Sequence, residues 1–151
     1  MSIEKDINQT AFNNEYQKLM INIIFTANWI QEKMKPYFDK EDITGQQFNI
    51  LRILRGAGKP ISTMQIRQRM LDKMSDTSRI VDRLVKKELV IKTACPNDKR
   101  LVDVSITKKG NQLLQKLDTS VNDMKKICSS ITEQQACTIS EYLDKIRETD
   151  M

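Results

Sequence analysis

At 151 residues, with 39% hydrophobic and 30% charged side chains, the chain is long enough to bury a core and fits one domain of a helix-rich globular protein, not a disordered one. Three scattered cysteines, Cys95, Cys128 and Cys137, and no histidine exclude both a disulfide framework and the usual zinc-ligand spacings, so no metal or other cofactor is expected. The net charge of +5 is unevenly placed: Lys59 to Gly110 holds 13 Lys or Arg against 6 Asp or Glu, while the rest holds 12 against 14, which is the footprint of a polyanionic partner such as nucleic acid.

The chain opens with MSIEKDINQT, which lacks the basic and apolar pattern of an export signal. No later window reaches the roughly 18 apolar residues of a membrane span, so a cytoplasmic protein that does not enter a membrane is expected. From Phe12 to Phe38, the residues Phe12, Tyr16, Leu19, Ile23, Ala27, Ile30, Met34 and Phe38 recur every three or four positions, the period of an amphipathic helix. Ile21, Ile24, Phe25 and Trp29 widen its apolar stripe beyond what one small domain can cover, which points to dimerisation. Pro36 should bend or end this helix near Lys35.

Thr44 with Gln47 three residues later is a capping-box signature, and Phe48, Leu51, Ile53 and Leu54 supply a core face before Gly56 and Gly58 stop the helix. Ser62 with Gln65 repeats the signature and opens a helix containing Met64, Ile66 and Met70. The next helix, within DKMSDTSRIVDRLVKKEL, has Asp72 or Ser75 as its expected cap and turns Thr77, Ile80, Val81 and Leu84 to the core. Its other face reads Ser75, Ser78, Arg79, Asp82, Arg83, Lys86.

From Val90 the period changes to two. VIKTA, the turn CPND and LVDVSI form a hairpin with Val102, Val104 and Ile106 on one side. Thr107 then caps a helix carrying Leu113, Leu114, Leu117, Val121, Met124 and Ile127. A last helix, opened by the Thr132 and Gln135 capping box, carries Ile139, Tyr142, Leu143 and Ile146.

Two short helices followed by a hairpin read as a helix-turn-helix with a wing. The expected fold is therefore mainly α with a small β-hairpin wing. A recognition helix fits the major groove, where Ser75, Asp76, Ser78 and Arg79 lie in the half nearest base edges, while Arg83, Lys86 and Lys87 suit phosphates. Arginine can bind guanine O6 and N7 together, which makes Arg79 the leading candidate for sequence reading. At the hairpin tip, Lys99 and Arg100 can reach the adjacent minor groove. Asp98, two residues before Arg100, is expected to brace the guanidinium by accepting a hydrogen bond from it.

These residues resemble the MarR (multiple antibiotic resistance regulator) transcription factors over most of the chain. The resemblance is most specific in TSRIVDRLVKKELV, similar to the family's recognition helix, and in PNDKRLVDVSITKKG, similar to its wing with Asp-x-Arg and a following Thr-x-x-Gly. It implies a homodimer on double-stranded DNA at a pseudo-palindromic operator, with residues 1–40 and 111–151 as dimerisation helices and 41–110 as the winged lobe. It also implies Asp98 and Arg100 as the wing pair, and release from DNA by a small phenolic or other anionic effector, or by an oxidant. Phe25, Trp29 and Phe48 are the residues that would line an effector pocket. Two departures stand out. Glu88 occupies a helix-ending position where the family usually has Gly, and the first helix has no cysteine of the peroxide-sensing kind.

Other readings fare less well. GAGKP is not a phosphate-binding loop, because Pro60 replaces the magnesium-binding hydroxyl and Ile53 the first glycine. With no histidine and no Ser or Cys in a nucleophile setting, an enzyme is not expected. The alternatives to a ligand-responsive repressor are a thiol-redox switch through Cys95, Cys128 or Cys137, and a winged-helix protein-interaction module that does not bind DNA.

Overall fold

In the computed structural model, backbone structure is described for residues 2–98 and 100–148. Lys99 therefore lies outside the described residues, as do the side chains of Val121, Asn122 and Met124. The elements run α1 (Ile3–Asp6), α2 (Glu15–Asp39), α3 (Gly45–Ala57), β1 (Ile61–Ser62), α4 (Thr63–Arg69), α5 (Thr77–Lys86), β2 (Val90–Ala94), β3 (Val102–Ile106), α6 (Lys108–Met124) and α7 (Glu133–Arg147), with a 3-10 turn at Lys125–Cys128. The chain forms two compact units, Met1–Leu117 and Asp118–Met151.

The first unit holds the core. Ile50, Leu51 and Leu54 of α3, Ile66 of α4, Val81 and Leu84 of α5, Val90 of β2, Val104 of β3, and Leu114 and Leu117 of α6 are all essentially out of water. These are the positions that helical or alternating periodicity selects, and burying each large side chain contributes roughly 1.5–3 kcal/mol before conformational entropy is subtracted. The caps match the sequence pattern closely. Gln47 N–H donates to Thr44 Oγ1 at 3.2 Å while Thr44 N–H donates to Gln47 Oε1 at 3.1 Å. Ser62 and Gln65 repeat this arrangement at the start of α4. Gly58 ends α3 in the left-handed region at φ 63°.

Three features differ from expectation. Helix α2 does not end near Lys35 but runs through Pro36 to Asp39. Proline so close to a C-terminus costs a single backbone hydrogen bond, and continuing the helix buries Phe38 against Phe48 with ring centroids 4.9 Å apart. Helix α5 is capped neither by Asp72 nor by Ser75; Asp76 Oδ1 accepts the Arg79 N–H at 3.1 Å, so the helix begins at Thr77. The wing is also more than a hairpin. Strand β1 pairs antiparallel with β3, through Ile61 opposite Val104, giving a three-stranded sheet ordered β1-β3-β2.

Helix α1 was not visible as a pattern. The Lys18 ammonium of α2 lies 2.5 Å from the Glu4 carboxylate, and Ile3 is buried. In the second unit, α7 begins at a third capping box, with Gln135 N–H donating to Thr132 Oγ1 at 3.2 Å and Thr132 N–H to Gln135 Oε1 at 2.9 Å. Among the described residues no helix is long and apolar enough to cross a membrane.

Candidate nucleic-acid interface

Helix α5 divides cleanly. Thr77, Ile80, Val81 and Leu84 are buried, and Ser78, Arg79, Asp82, Arg83 and Lys86 on the remaining surface are exposed. A ten-residue helix with apolar positions at i, i+3, i+4 and i+7 must present its polar positions together, so the structure brings Ser78, Arg79, Arg83 and Lys86 onto the outward side. Ser75 precedes the helix, half-buried, with its hydroxyl donating to the Asp72 carbonyl at 2.8 Å. Asp76 sits at the N-terminus as the cap, where its charge also complements the helix dipole.

Two charges on or next to α5 are engaged elsewhere. Asp82 pairs with Lys92 on β2, joining the helix to the sheet behind it. Lys87, which its position suggested for phosphate, instead holds the turn between α2 and α3: its ammonium lies 3.0 Å from the Asp42 carboxylate and also meets the Asp42 carbonyl. Asp42 has φ 52°, a left-handed conformation that short polar side chains tolerate best, and Lys87 secures it. Neither pairing has a periodic signal. Each joins residues of different elements that only the packed fold brings together.

The connection from α5 to the sheet is built around Glu88, at φ 61°. Leu89 N–H donates to the Leu84 carbonyl at 3.0 Å and Glu88 N–H to the Val85 carbonyl at 2.9 Å, the paired bonds of a Schellman termination, with Leu84 and Leu89 both buried. The backbone thus adopts the form that glycine favours although the residue is glutamate. Thr107 ties this turn to the start of α6. Its hydroxyl donates to the Glu88 carbonyl at 2.8 Å and accepts the Gly110 N–H at 3.1 Å, while its own N–H donates to the Leu89 carbonyl at 3.0 Å. A Cβ on Gly110 would stand 2.3 Å from the Leu89 carbonyl oxygen and 2.7 Å from Ile106 Cγ1, which explains the Thr-x-x-Gly spacing as a close backbone crossing.

At the wing tip, β2 and β3 pair from Val90 opposite Ile106 to Ala94 opposite Val102. Burial peaks in mid-strand and is lost at the tip: Ile106 at the base is half-buried, Val104 buried and Val102 exposed. Beyond the strands, Cys95 N–H donates to the Leu101 carbonyl and Leu101 N–H to the Asp98 carbonyl, both at 2.9 Å. Asp98 does hold Arg100, but through the main chain. Its Oδ1 accepts the Arg100 backbone N–H at 2.9 Å, an Asx-type turn, and among the described residues no bond to the guanidinium accompanies it. A short carboxylate two residues upstream reaches the backbone amide more easily than the end of a long side chain, and Arg100 stays exposed.

Among the described residues, the two best-formed clefts are not lined by Phe25, Trp29 or Phe48. Phe48 is a core residue stacked on Phe38, with the Arg52 guanidinium 5.7 Å from its ring, while Phe25 and Trp29 are half-buried on α2. A cleft of about 650 Å³ lies instead between α2, α3 and α5, where Lys35, Asp39, Asp42, Gln47, Arg83 and Lys86 contribute to its walls. The three cysteines are free thiols, Cys95 half-buried and Cys128 and Cys137 exposed.

A two-helix unit with an exposed cationic second helix, backed by a three-stranded antiparallel wing, defines the winged helix-turn-helix class. Comparison with known proteins narrows it. The family model described as MarR family matches residues 41–101. The HTH-type transcriptional repressor MdtR of Bacillus subtilis (strain 168) is 30% identical over 125 residues, covering 80% of each chain, and the HTH-type transcriptional regulator MhqR of the same organism is 27% identical over 131 residues, covering 85% of this chain and 89% of its own. A mutant MarR from E. coli, solved in complex with operator DNA, superposes with a TM-score of 0.82 at 25% identity, over 91% of this chain and 99% of that one. The chain belongs to the MarR family of transcriptional regulators.

Proposed function

We propose that this regulator acts as a homodimeric, ligand-responsive repressor on a pseudo-palindromic operator whose half-sites lie about one helical turn apart. The observation that carries the DNA contact is the outward face of α5, where Ser78, Arg79, Arg83 and Lys86 stand opposite a fully buried apolar face. In this reading Arg79 reads guanine, Ser75, Asp76 and Ser78 meet base edges or phosphates near the helix start, and Arg83 and Lys86 neutralise phosphates. Lys99 and Arg100 enter the minor groove from the wing, and Asp98 serves by fixing the backbone from which Arg100 projects.

Residues 1–40 and 111–151 supply the dimer contacts around a DNA-binding lobe at 41–110. Support comes from apolar side chains left in water: Tyr16, Leu19, Met20 and Ile24 on α2, and Ile139 and Tyr142 on α7. Repression follows the naming of MdtR as a repressor, and the working compartment is the cytoplasm, where the operator is. For effector response, the cleft walled by Arg83 and Lys86 is the favoured entry, because an acidic ligand seated there would draw both cations away from phosphate. Phe25 and Trp29 remain the aromatic candidates on α2.

Selection of duplexes from a random pool, followed by titration at several salt concentrations, tests the core of this reading. Affinity should fall steeply between about 50 and 200 mM salt. Arg79→Ala should relax preference at one base position, whereas Lys86→Ala should weaken every sequence alike and lower the salt slope by about 1. Arg100→Ala should cost about 1–3 kcal/mol of affinity, and Asp98→Ala should also weaken binding although it removes a negative charge. Salt-independent binding with no enriched sequence would refute DNA recognition, and tighter binding by Asp98→Ala would refute the role of the turn.

A further inference from the structure

We propose that Met74 is a base-reading residue, contacting the C5-methyl group of a thymine in the major groove beside the bases met by α5. This rests on the DNA-binding reading above and names a specificity element that the cationic face alone does not supply. Met74 is 94% exposed and Leu71 87%, although the same connection between α4 and α5 buries Met70 almost completely. Single apolar side chains are common on protein surfaces; what distinguishes Met74 is its place, on a turn that leads directly into the exposed cationic face of α5.

The segment that carries Met74 is firmly tied. One oxygen of the Asp72 carboxylate accepts the Met74 N–H at 3.0 Å, and the other accepts the Gln46 side-chain amide of α3 at 2.9 Å. The Ser75 hydroxyl donates to the Asp72 carbonyl at 2.8 Å, and Thr77 N–H donates to the Ser75 carbonyl at 3.0 Å. Lys73 donates to the Gln68 carbonyl at the end of α4. Met74 is thus presented from a preorganised turn two residues before the Asp76 cap of α5.

Charge decides the kind of partner. Lys73 precedes Met74, and Arg79, Arg83 and Lys86 follow it on the exposed side of α5; the nearby Asp72 and Asp76 carboxylates are taken up by Met74 N–H, Gln46 and the Arg79 N–H, so the surface beside the methionine suits a polyanion. Among nucleic acids, the apolar feature on a major-groove edge is the thymine methyl, which uracil lacks. The start of a recognition helix is also where base edges are approached most closely. Methionine, unbranched and polarisable, adapts to such a contact.

The test uses the full-length protein and the best duplex selected from a random pool. Replacing dT by dU one position at a time removes single methyl groups and leaves the hydrogen-bonding edges unchanged. At one position in each half-site the replacement is expected to weaken wild-type binding about fourfold, the worth of one buried methyl group. Met74→Ala should bind the dT and dU duplexes equally, and Met74→Leu should keep a preference for dT. The exposure of Met74 means that both variants should melt like the wild type, and the dU series on the wild-type protein needs no variant at all. Wild-type indifference to every dU replacement, or a full dT preference retained by Met74→Ala, would overturn the proposal while leaving DNA recognition intact. Altered self-association of Met74→Ala with unchanged dT preference would also overturn it, in favour of a protein contact. A pool that enriches no duplex would overturn both.

Discussion

Glu88 holds φ 61° at a position built for glycine, and its surroundings show why it is tolerated. The Schellman bonds and the Thr107 hydroxyl fix the backbone regardless of side chain, and the carboxylate, largely in solvent, lies 3.3 Å from Lys109. An exposed pair of this kind offsets little of the left-handed strain. Glu88→Gly should therefore stabilise the protein by about 1 kcal/mol, raising Tm by about 3 °C in a chain of this size. An unchanged melting temperature would mean that the turn carries no strain. Gly110 is the opposite case, since its missing Cβ is required by a carbonyl oxygen that cannot move without breaking the turn. Gly110→Ala should lower stability by about 2–3 kcal/mol in urea titrations, whereas Gly56→Ala, with nothing within 4 Å of the new Cβ, should gain about 0.5–1 kcal/mol. Equal effects of the two substitutions would contradict the close crossing at Gly110.

Among the elements, α5 is positioned from both ends and from behind. Asp76 caps it, the Glu88 turn ends it, and Asp82 ties it to Lys92 of the wing. Periodicity identified its buried and exposed faces because those follow from 3.6 residues per turn. It misplaced the cap because Asp72, Ser75 and Asp76 are all competent cap residues, and backbone geometry alone selects one. The short α1 lies below the length at which periodicity carries a signal, and it is anchored by the buried Ile3 together with the Glu4–Lys18 ion pair. Hydrogen bonding from Lys18, from the main chain and from Ser2 lowers the Glu4 pKa from 4.5 to about 2, while Glu4 raises that of Lys18. A depressed carboxylate pKa means that the pair's contribution is fully present above about pH 4.5 and is lost as pH falls through about 2. The Glu4 carboxyl carbon, followed by NMR, should titrate near that lower value, and Lys18→Ala should move its midpoint up toward 4.5. A midpoint already near 4.5 in the wild type would show that the Glu4–Lys18 pair does not form in solution.

For the whole molecule, the unmet apolar surface is the main fact. Ile139 and Tyr142 are 48% and 64% exposed on α7, and Tyr16 is 80% exposed on α2. If the proposed dimer forms through α7, combined Ile139→Glu and Tyr142→Glu substitutions should convert it into a monomer in sedimentation and weaken operator binding with it, since each monomer would hold a single half-site. A dimer of unchanged mass would show that α7 is not the contact.

What the sequence determined by itself is whatever depends on neighbours along the chain. It defined the helical and alternating faces, the capping boxes at Thr44, Ser62 and Thr132, the concentration of positive charge between Lys59 and Gly110, and the order of elements that makes a winged helix. The tertiary structure decided what depends on residues far apart in the chain. It added β1 to the wing through Ile61 and Val104, paired Lys87 with Asp42, packed Phe48 against Phe38 in the core, and turned Asp98 toward a backbone amide. The reason is physical: periodicity specifies which side of an element avoids water, but a charge or an aromatic ring takes its partner from whatever packing brings within a few ångströms.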